Sequence, residues 1–140
     1  YYIISKNDSY IFIDYLSAIP NHIDKVMYNR FIIEDNRLKE AIGTIDLFDF
    51  DPMNQRVEVG VFLQENYRRQ GYATESIRLI KEYAFKFLGV KQLYAHICEE
   101  NKVSIDLFEK CGFKKVGRLE KWLKRGEDWK DCFILQCLNN

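Results

Sequence analysis

Seven residues near the middle of the chain carry its clearest chemical signal: Arg68-Arg69-Gln70-Gly71-Tyr72-Ala73-Thr74. A strand-like run precedes them and a helix-like run follows. Amides at a helix start lack intrahelical partners, and the helix dipole adds partial positive charge there. Gly71 and Ala73 are small enough for an anion to approach the backbone closely. Arg68 and Arg69 add mobile positive charge at the same end. A turn of this kind cradles a pyrophosphate. An ordinary strand–helix turn with two solvated arginines fits the same residues, because short glycine patterns misfire often.

A single carboxylate, Glu58, falls on the polar side of an otherwise apolar strand. It reads either as a general base for proton transfer or as a solvent-facing group paired with a neighbouring Lys or Arg. His96 falls in a strand and His22 in a region without clear pattern; a lone strand histidine reads as structural rather than as a base. Trp122, Trp129 and the aromatic stretch Tyr10–Tyr15 read as core or as walls of an acceptor site. Lys114-Lys115, Lys121 and Lys124-Arg125 read as solvated faces.

The elements that must position these groups are legible from residue 26 onward. Val26–Glu34 and Ala41–Phe50 are strand-like, and the turn Asp51-Pro52-Met53-Asn54 closes the second. Val57, Val59, Val61 and Leu63 then alternate with Glu58, Gly60, Phe62 and Gln64, a period of two. Ala73, Ile77, Ile80, Ala84 and Phe87 form one helical stripe that Gly89 stops. Val90–Cys98 alternates as a strand. Asn101 caps a short helix through Lys110, ended by Gly112. Phe113–Arg118 and Trp129–Leu138 are strands around a turn at 125–128. The order β-β-β-α-β-α-β-β describes one mixed α/β sheet. Residues 1–30 follow neither period cleanly, and Pro20-Asn21 marks a break.

Composition narrows the function classes. The 140 residues fit one domain, expected over 1–140, with 47% hydrophobic and 15% aromatic positions. Lys plus Arg and Asp plus Glu number 21 each, so the basic excess of a nucleic-acid binder is missing. No apolar run reaches the roughly 20 residues of a bilayer span. Cys98, Cys111, Cys132 and Cys137 show no CxxC spacing and read as reduced thiols of a cytoplasmic protein, with no metal site. No secretory signal opens the chain.

Two segments together resemble a known family. Arg68-Arg69-Gln70-Gly71-Tyr72-Ala73 is similar to the Gln/Arg-x-x-Gly-x-Gly/Ala motif of the GNAT superfamily of acetyl-coenzyme A dependent N-acetyltransferases. The stretch from Asn101 through Ser104, Leu107 and Phe108 to Gly112-Phe113 resembles that superfamily's second signature. The resemblance covers roughly residues 28–140, and the family's opening strand and part of its first helix are expected to be missing. Val57–Leu63 and the tail 117–131 look like the branch of spermidine N-acetyltransferases and ribosomal-protein N-terminal acetyltransferases.

The resemblance implies a GNAT-like single domain with a central, splayed mixed sheet flanked by helices. Acetyl-coenzyme A is then expected as co-substrate between strands 57–63 and 90–98, its pyrophosphate on the 68–73 turn. The coenzyme-binding residues it implies are Phe62, Leu63, Arg68, Arg69, Gln70, Gly71, Tyr72, Ala73, Thr74, Asn101, Ser104 and Phe108. Asn101 serves the pantetheine arm, the helix cap, or both. Ser104 is a local donor or a helix-start residue. Glu58 is the implied catalytic base, freeing an amine to attack the thioester. Family members often carry Tyr where Phe108 stands, to protonate the leaving thiolate; a phenyl ring has no proton to give. The implied reaction is acetyl transfer to a primary amine, a polyamine such as spermidine or a protein N-terminus, without metal or covalent enzyme intermediate. A homo-oligomer in the cytoplasm is expected, with no nucleic-acid or membrane partner. The rival is an acyl-coenzyme A binding module with weak or no transferase activity, to which Phe108 and the expected incompleteness of the amino-terminal region lend support.

Overall fold

A computed structural model of the chain describes residues 3–6, 9–14, 29–35 and 37–140. Its elements are β1 (Ile3–Lys6), β2 (Ser9–Asp14), β3 (Asn29–Asp35), β4 (Glu40–Asp51), β5 (Arg56–Leu63), α1 (Tyr72–Lys86), β6 (Gln92–Cys98), α2 (Lys102–Lys110), β7 (Lys114–Arg125) and β8 (Asp128–Leu138). The expected order from β3 onward is present. β1 and β2, which the sequence pattern does not reveal, are added before it. His22, Pro20-Asn21 and residues 26–28 lie outside the described residues, as do the side chains of Tyr10–Tyr15.

The strands form one sheet in the order β1-β2-β3-β4-β5-β6-β8-β7. β1 through β5 are an antiparallel meander, and β6, β8 and β7 form a second antiparallel block. A parallel pairing between β5 and β6 joins the blocks, with α1 as the crossover. Val57, Val59 and Leu63 of β5 and Leu93, Ala95 and Ile97 of β6 are buried, as the period of two requires. Ile77, Ile80 and Ala84 of α1 and Ile105 of α2 cover them in one core. Each buried Val, Leu or Ile among them contributes about 1.5–3 kcal/mol on burial. Among the described residues, no helix is long and apolar enough to cross a membrane.

Phe87 and the two tryptophans lie outside the core, for reasons of position. Phe87 is 78% exposed, because it is the C-cap residue where the chain leaves the helix axis, and it stacks on Tyr83. Trp122 and Trp129 are more than half exposed rather than in the core. Residues 132–138 of β8 pair with β6, whereas 128–130 pair only with β7. The tip of that hairpin extends past the end of β6.

Gly43 lets β4 and β5 close on each other where β5 ends. A Cβ there would lie 2.1 Å from the Phe62 carbonyl oxygen, which cannot yield without moving the strand. Gly43→Ala is expected to destabilise the fold by at least the ~1–3 kcal/mol typical of overpacking, read as a lower midpoint in urea. Native-like stability would mean that β4 and β5 are not this close.

Buried Asp35 organises the turn between β3 and β4. Its carboxylate accepts the Arg37 and Leu38 amides and the Tyr72 hydroxyl. The Tyr72 hydrogen bond first, then the Leu38 amide, hold its pKa below the ordinary carboxylate value. A lowered carboxylate pKa adds stability above the unfolded value, about 3.9, and that stability is lost as pH falls through the lower folded value. Asp35→Asn should reduce the thermal midpoint at pH 7 and flatten its fall on acidification. A parallel offset at every pH would show that ionisation of Asp35 contributes nothing.

Candidate active site

β5 and β6 share only three parallel rungs, Arg56↔Gln92, Val57↔Leu93 and Glu58↔Tyr94. Beyond Glu58 and Tyr94 each strand keeps its outer partner while their inner edges part. β5 stays on β4 through Leu63, and β6 stays on β8 through Cys98. A cleft of about 450 Å³ opens at the mouth of this fork. Val61, Phe62 and Leu63 wall it from β5; Arg68, Arg69, Gly71, Ala73 and Thr74 from the turn and α1; Asn101, Val103, Ser104 and Leu107 from α2.

The structure therefore brings together nine of the implied coenzyme residues and leaves three outside the lining. The Tyr72 side chain turns away to Asp35. The Gln70 side-chain amide donates to the Asn66 carbonyl at 2.8 Å. Phe108 is a correction. It is 2% exposed in the core, edge-on to Phe113 with centroids 4.9 Å apart, and not a cleft residue. Val61, Val103 and Leu107 are additional walls; Val103 and Leu107, four apart on α2, were legible as one helical face.

The turn is built for an anion. Gly71 is the N-cap of α1 at φ +87°, with nothing within 4 Å of where its Cβ would stand and no side-chain cap bond. Glu75 N–H makes the first helical bond to the Gly71 carbonyl, so the Tyr72, Ala73 and Thr74 amides precede the helical ladder. Arg69 is also left-handed, at φ +63°. Arg68 is anchored rather than mobile: its Nε donates to the Leu63 carbonyl at 3.1 Å, and its guanidinium lies 6.0 Å from the Phe62 ring centroid. Asn101 does cap α2, its Oδ1 accepting the Ser104 amide at 3.2 Å. Phosphate-sized charge suits the turn, and the apolar walls suit a flexible thioester arm.

On the other face of the fork Glu58 is 7% exposed, not solvent-facing, and its partner is neither Lys nor Arg. Glu58 Oε1 lies 2.6 Å from His96 Nδ1 and accepts the His96 backbone amide at 3.3 Å. Tyr94 sits edge-on to the His96 ring with centroids 5.8 Å apart. Burial first, then the negative charge of Glu58, raise the Tyr94 pKa, so its phenol stays protonated. The His96 pairing was missed in the sequence. The parallel register, which the sequence does not carry, places residue 96 on the face of Glu58, two residues beyond the last rung. Among the described residues, no three His, Cys, Asp or Glu side chains gather as metal ligands. The four cysteines are free thiols.

A mixed sheet that forks at a parallel pair, with an anion-cradling turn at its mouth, defines an acyl-coenzyme A dependent transferase domain. The chain belongs to the GNAT acetyltransferase family: residues 6–114 match its acetyltransferase (GNAT) domain, so the likeness extends well before residue 28. It is thus an acetyl-coenzyme A dependent N-acetyltransferase by family, and the reading as a mere binding module is not favoured. A spermidine N(1)-acetyltransferase of Vibrio cholerae is 30% identical over 127 residues, 88% of this chain and 73% of that protein. The probable N-acetyltransferase YjcK of Bacillus subtilis is 34% identical over 110 residues, 78% of this chain and 59% of that protein. For a spermidine N(1)-acetyltransferase of Escherichia coli the identity is 27% over 108 residues, 77% of this chain and 57% of that protein. The chain thus spans 57% to 73% of the length of these relatives. In fold, it superimposes on a chimera of the Vibrio cholerae spermidine N-acetyltransferase with a TM-score of 0.78 at 24% identity, covering 89% of this chain and 72% of that one.

Gly71→Val should obstruct the turn twice, by straining a left-handed residue and by filling the space in front of the amides. Arg68→Ala should weaken acetyl-coenzyme A binding roughly 10- to 150-fold, the equivalent of a charge-assisted contact of about 1.5–3 kcal/mol. Calorimetric titration reads both. Unchanged affinity in the two variants would remove the pyrophosphate from this turn.

Proposed function

We propose that this chain transfers an acetyl group from acetyl-coenzyme A to a primary amine, and that the acceptor is a polyamine such as spermidine. The observation that carries the reading is the shared cleft: two motifs 27 residues apart, Arg68–Thr74 and Asn101–Leu107, line one cavity where β5 and β6 part. In this reading the α1 amides and Arg68 hold the pyrophosphate, and Val61, Leu63, Val103 and Leu107 wall the pantetheine arm. The thioester then reaches the fork, where the acceptor arrives from the opposite face of the sheet.

A cationic acceptor is supported by the charge on that opposite face. Glu58, Asp49 and Asp51 all raise the Tyr94 pKa and Arg56 alone opposes them, so carboxylates outnumber cations around that ring. The relatives named as spermidine N(1)-acetyltransferases support the same acceptor class. A protein N-terminus is the second acceptor class the family resemblance raised, and a homo-oligomer is part of the same proposal. Four free thiols and a coenzyme A substrate suit a reducing, cytoplasmic compartment.

Mass spectrometry of the chain incubated with acetyl-coenzyme A and a panel of diamines, spermidine, spermine and short peptides decides between these. Monoacetylated polyamine is the expected product. Acetylation confined to peptide N-termini would reassign the acceptor, and coenzyme retention without product would make the chain a binder.

A further inference from the structure

We propose that His96 is the general base of acetyl transfer and that Glu58 is its positioning residue, an assignment that rests on the transferase reading above. The family resemblance implies Glu58 as the base. The geometry does not leave Glu58 facing an acceptor: it is 7% exposed, and its Oε1 receives both the His96 ring and the His96 backbone amide. His96 keeps 30% of its side-chain surface accessible. It stands two residues past the last rung between β5 and β6, where the sheet has just opened.

The pairing selects the reactive nitrogen. With Nδ1 2.6 Å from a carboxylate oxygen, the ring proton of neutral imidazole belongs on Nδ1, which donates it to Glu58. The lone pair is then on Nε2, the ring nitrogen that does not face the carboxylate. Tyr94, edge-on to the ring, restricts its rotation further. A buried carboxylate that orients an imidazole and holds its charge when protonated is the arrangement that activates bases in unrelated folds.

The step balances as follows. Nε2 takes a proton from the substrate ammonium, leaving a neutral amine. The amine lone pair forms a C–N bond to the acetyl carbonyl carbon, and the C–S bond breaks with its electron pair on the coenzyme sulfur. The amine nitrogen gives up its surplus proton to solvent. The imidazolium, its charge held by Glu58, returns its proton to the thiolate or to water. No oxidant, metal or covalent enzyme intermediate enters.

The test uses the full chain, acetyl-coenzyme A and spermidine, with single-turnover rates and calorimetric coenzyme binding for each variant. His96→Gln should bind coenzyme as the native chain does and lose about 10²–10⁴-fold in kcat with little change in KM. His96→Ala should recover part of its rate when imidazole is added, which a structural role would not produce. Glu58→Gln should slow the native chain but add nothing in a His96→Gln background, because Glu58 acts through the imidazole. Three results overturn the assignment: His96→Gln turning over at the native rate, failure of imidazole rescue in a folded His96→Ala chain, or independent losses in the double variant. If the native chain acetylates no polyamine and no peptide, the transferase reading fails first and takes this assignment with it. Native turnover with unaffected His96 variants removes only the assignment.

Discussion

The parting of β5 from β6 is the constraint on which the rest of the structure depends. Three parallel rungs hold the strands together, and two antiparallel blocks then pull them apart. β4 follows β5 through Gly43↔Leu63, and β8 follows β6 through Cys98↔Cys132. Both unpaired edges are therefore held rigidly by a neighbour on the far side. Backbone groups facing the gap have lost their ladder partner, and such groups need a substitute donor or acceptor. The cleft lies where that demand is greatest, with one helix start on each flank.

Holding the fork open is only half of what the site requires, because the turn at 68–74 must also sit over it. It is tied down at both ends. Arg68 Nε reaches the Leu63 carbonyl at the end of β5, so the turn cannot swing away from the strand it leaves. Tyr72, the first residue of α1, bonds Asp35, the same carboxylate that fixes the β3–β4 turn through two amides. Tyr67 adds a bond to Glu40 at 3.0 Å. The β3–β4 turn thus positions the helix start whose amides face the cleft. The Gly71 conformation, left-handed and open, is the element that no other residue type supplies without strain.

The parts legible in the sequence are those decided by local rules. The period of two in 57–63, the helical stripe of α1 and the Asn101 cap all hold, because each depends on near neighbours along the chain. What failed depends on where an element ends or what lies across from it. Phe87 fits the stripe but falls at the cap, and of the two readings of Trp122 and Trp129, core or acceptor-site wall, their exposure removes the core. Phe108 fits a coenzyme position by motif and yet packs on Phe113. Glu58 looked polar-side and exposed; its burial comes from β6, which joins β5 only across the α1 crossover. β1 and β2 pair at four and six positions, too short for a pattern to stand out.

The pair formed by Glu58 and His96 is poorly explained as a stability device. A buried carboxylate loses solvation that a single partner rarely returns in full, and apolar replacements of such pairs are often neutral or stabilising. The imidazole is partly accessible, so solvent weakens its attraction further. On the opposite face the same two strands bury Val57, Val59, Leu93 and Ala95 with no polar group among them. What an apolar pair could not do is hold a basic nitrogen in a fixed direction at the first unpaired step of the fork. Register makes that placement: Glu58 occupies the last rung, and His96 the next position on the same face of the facing strand. The three rungs that keep the sheet closed therefore also set the distance between carboxylate and imidazole. Fold and chemistry share one constraint, and a shift of register by one residue would turn His96 into the core and end both.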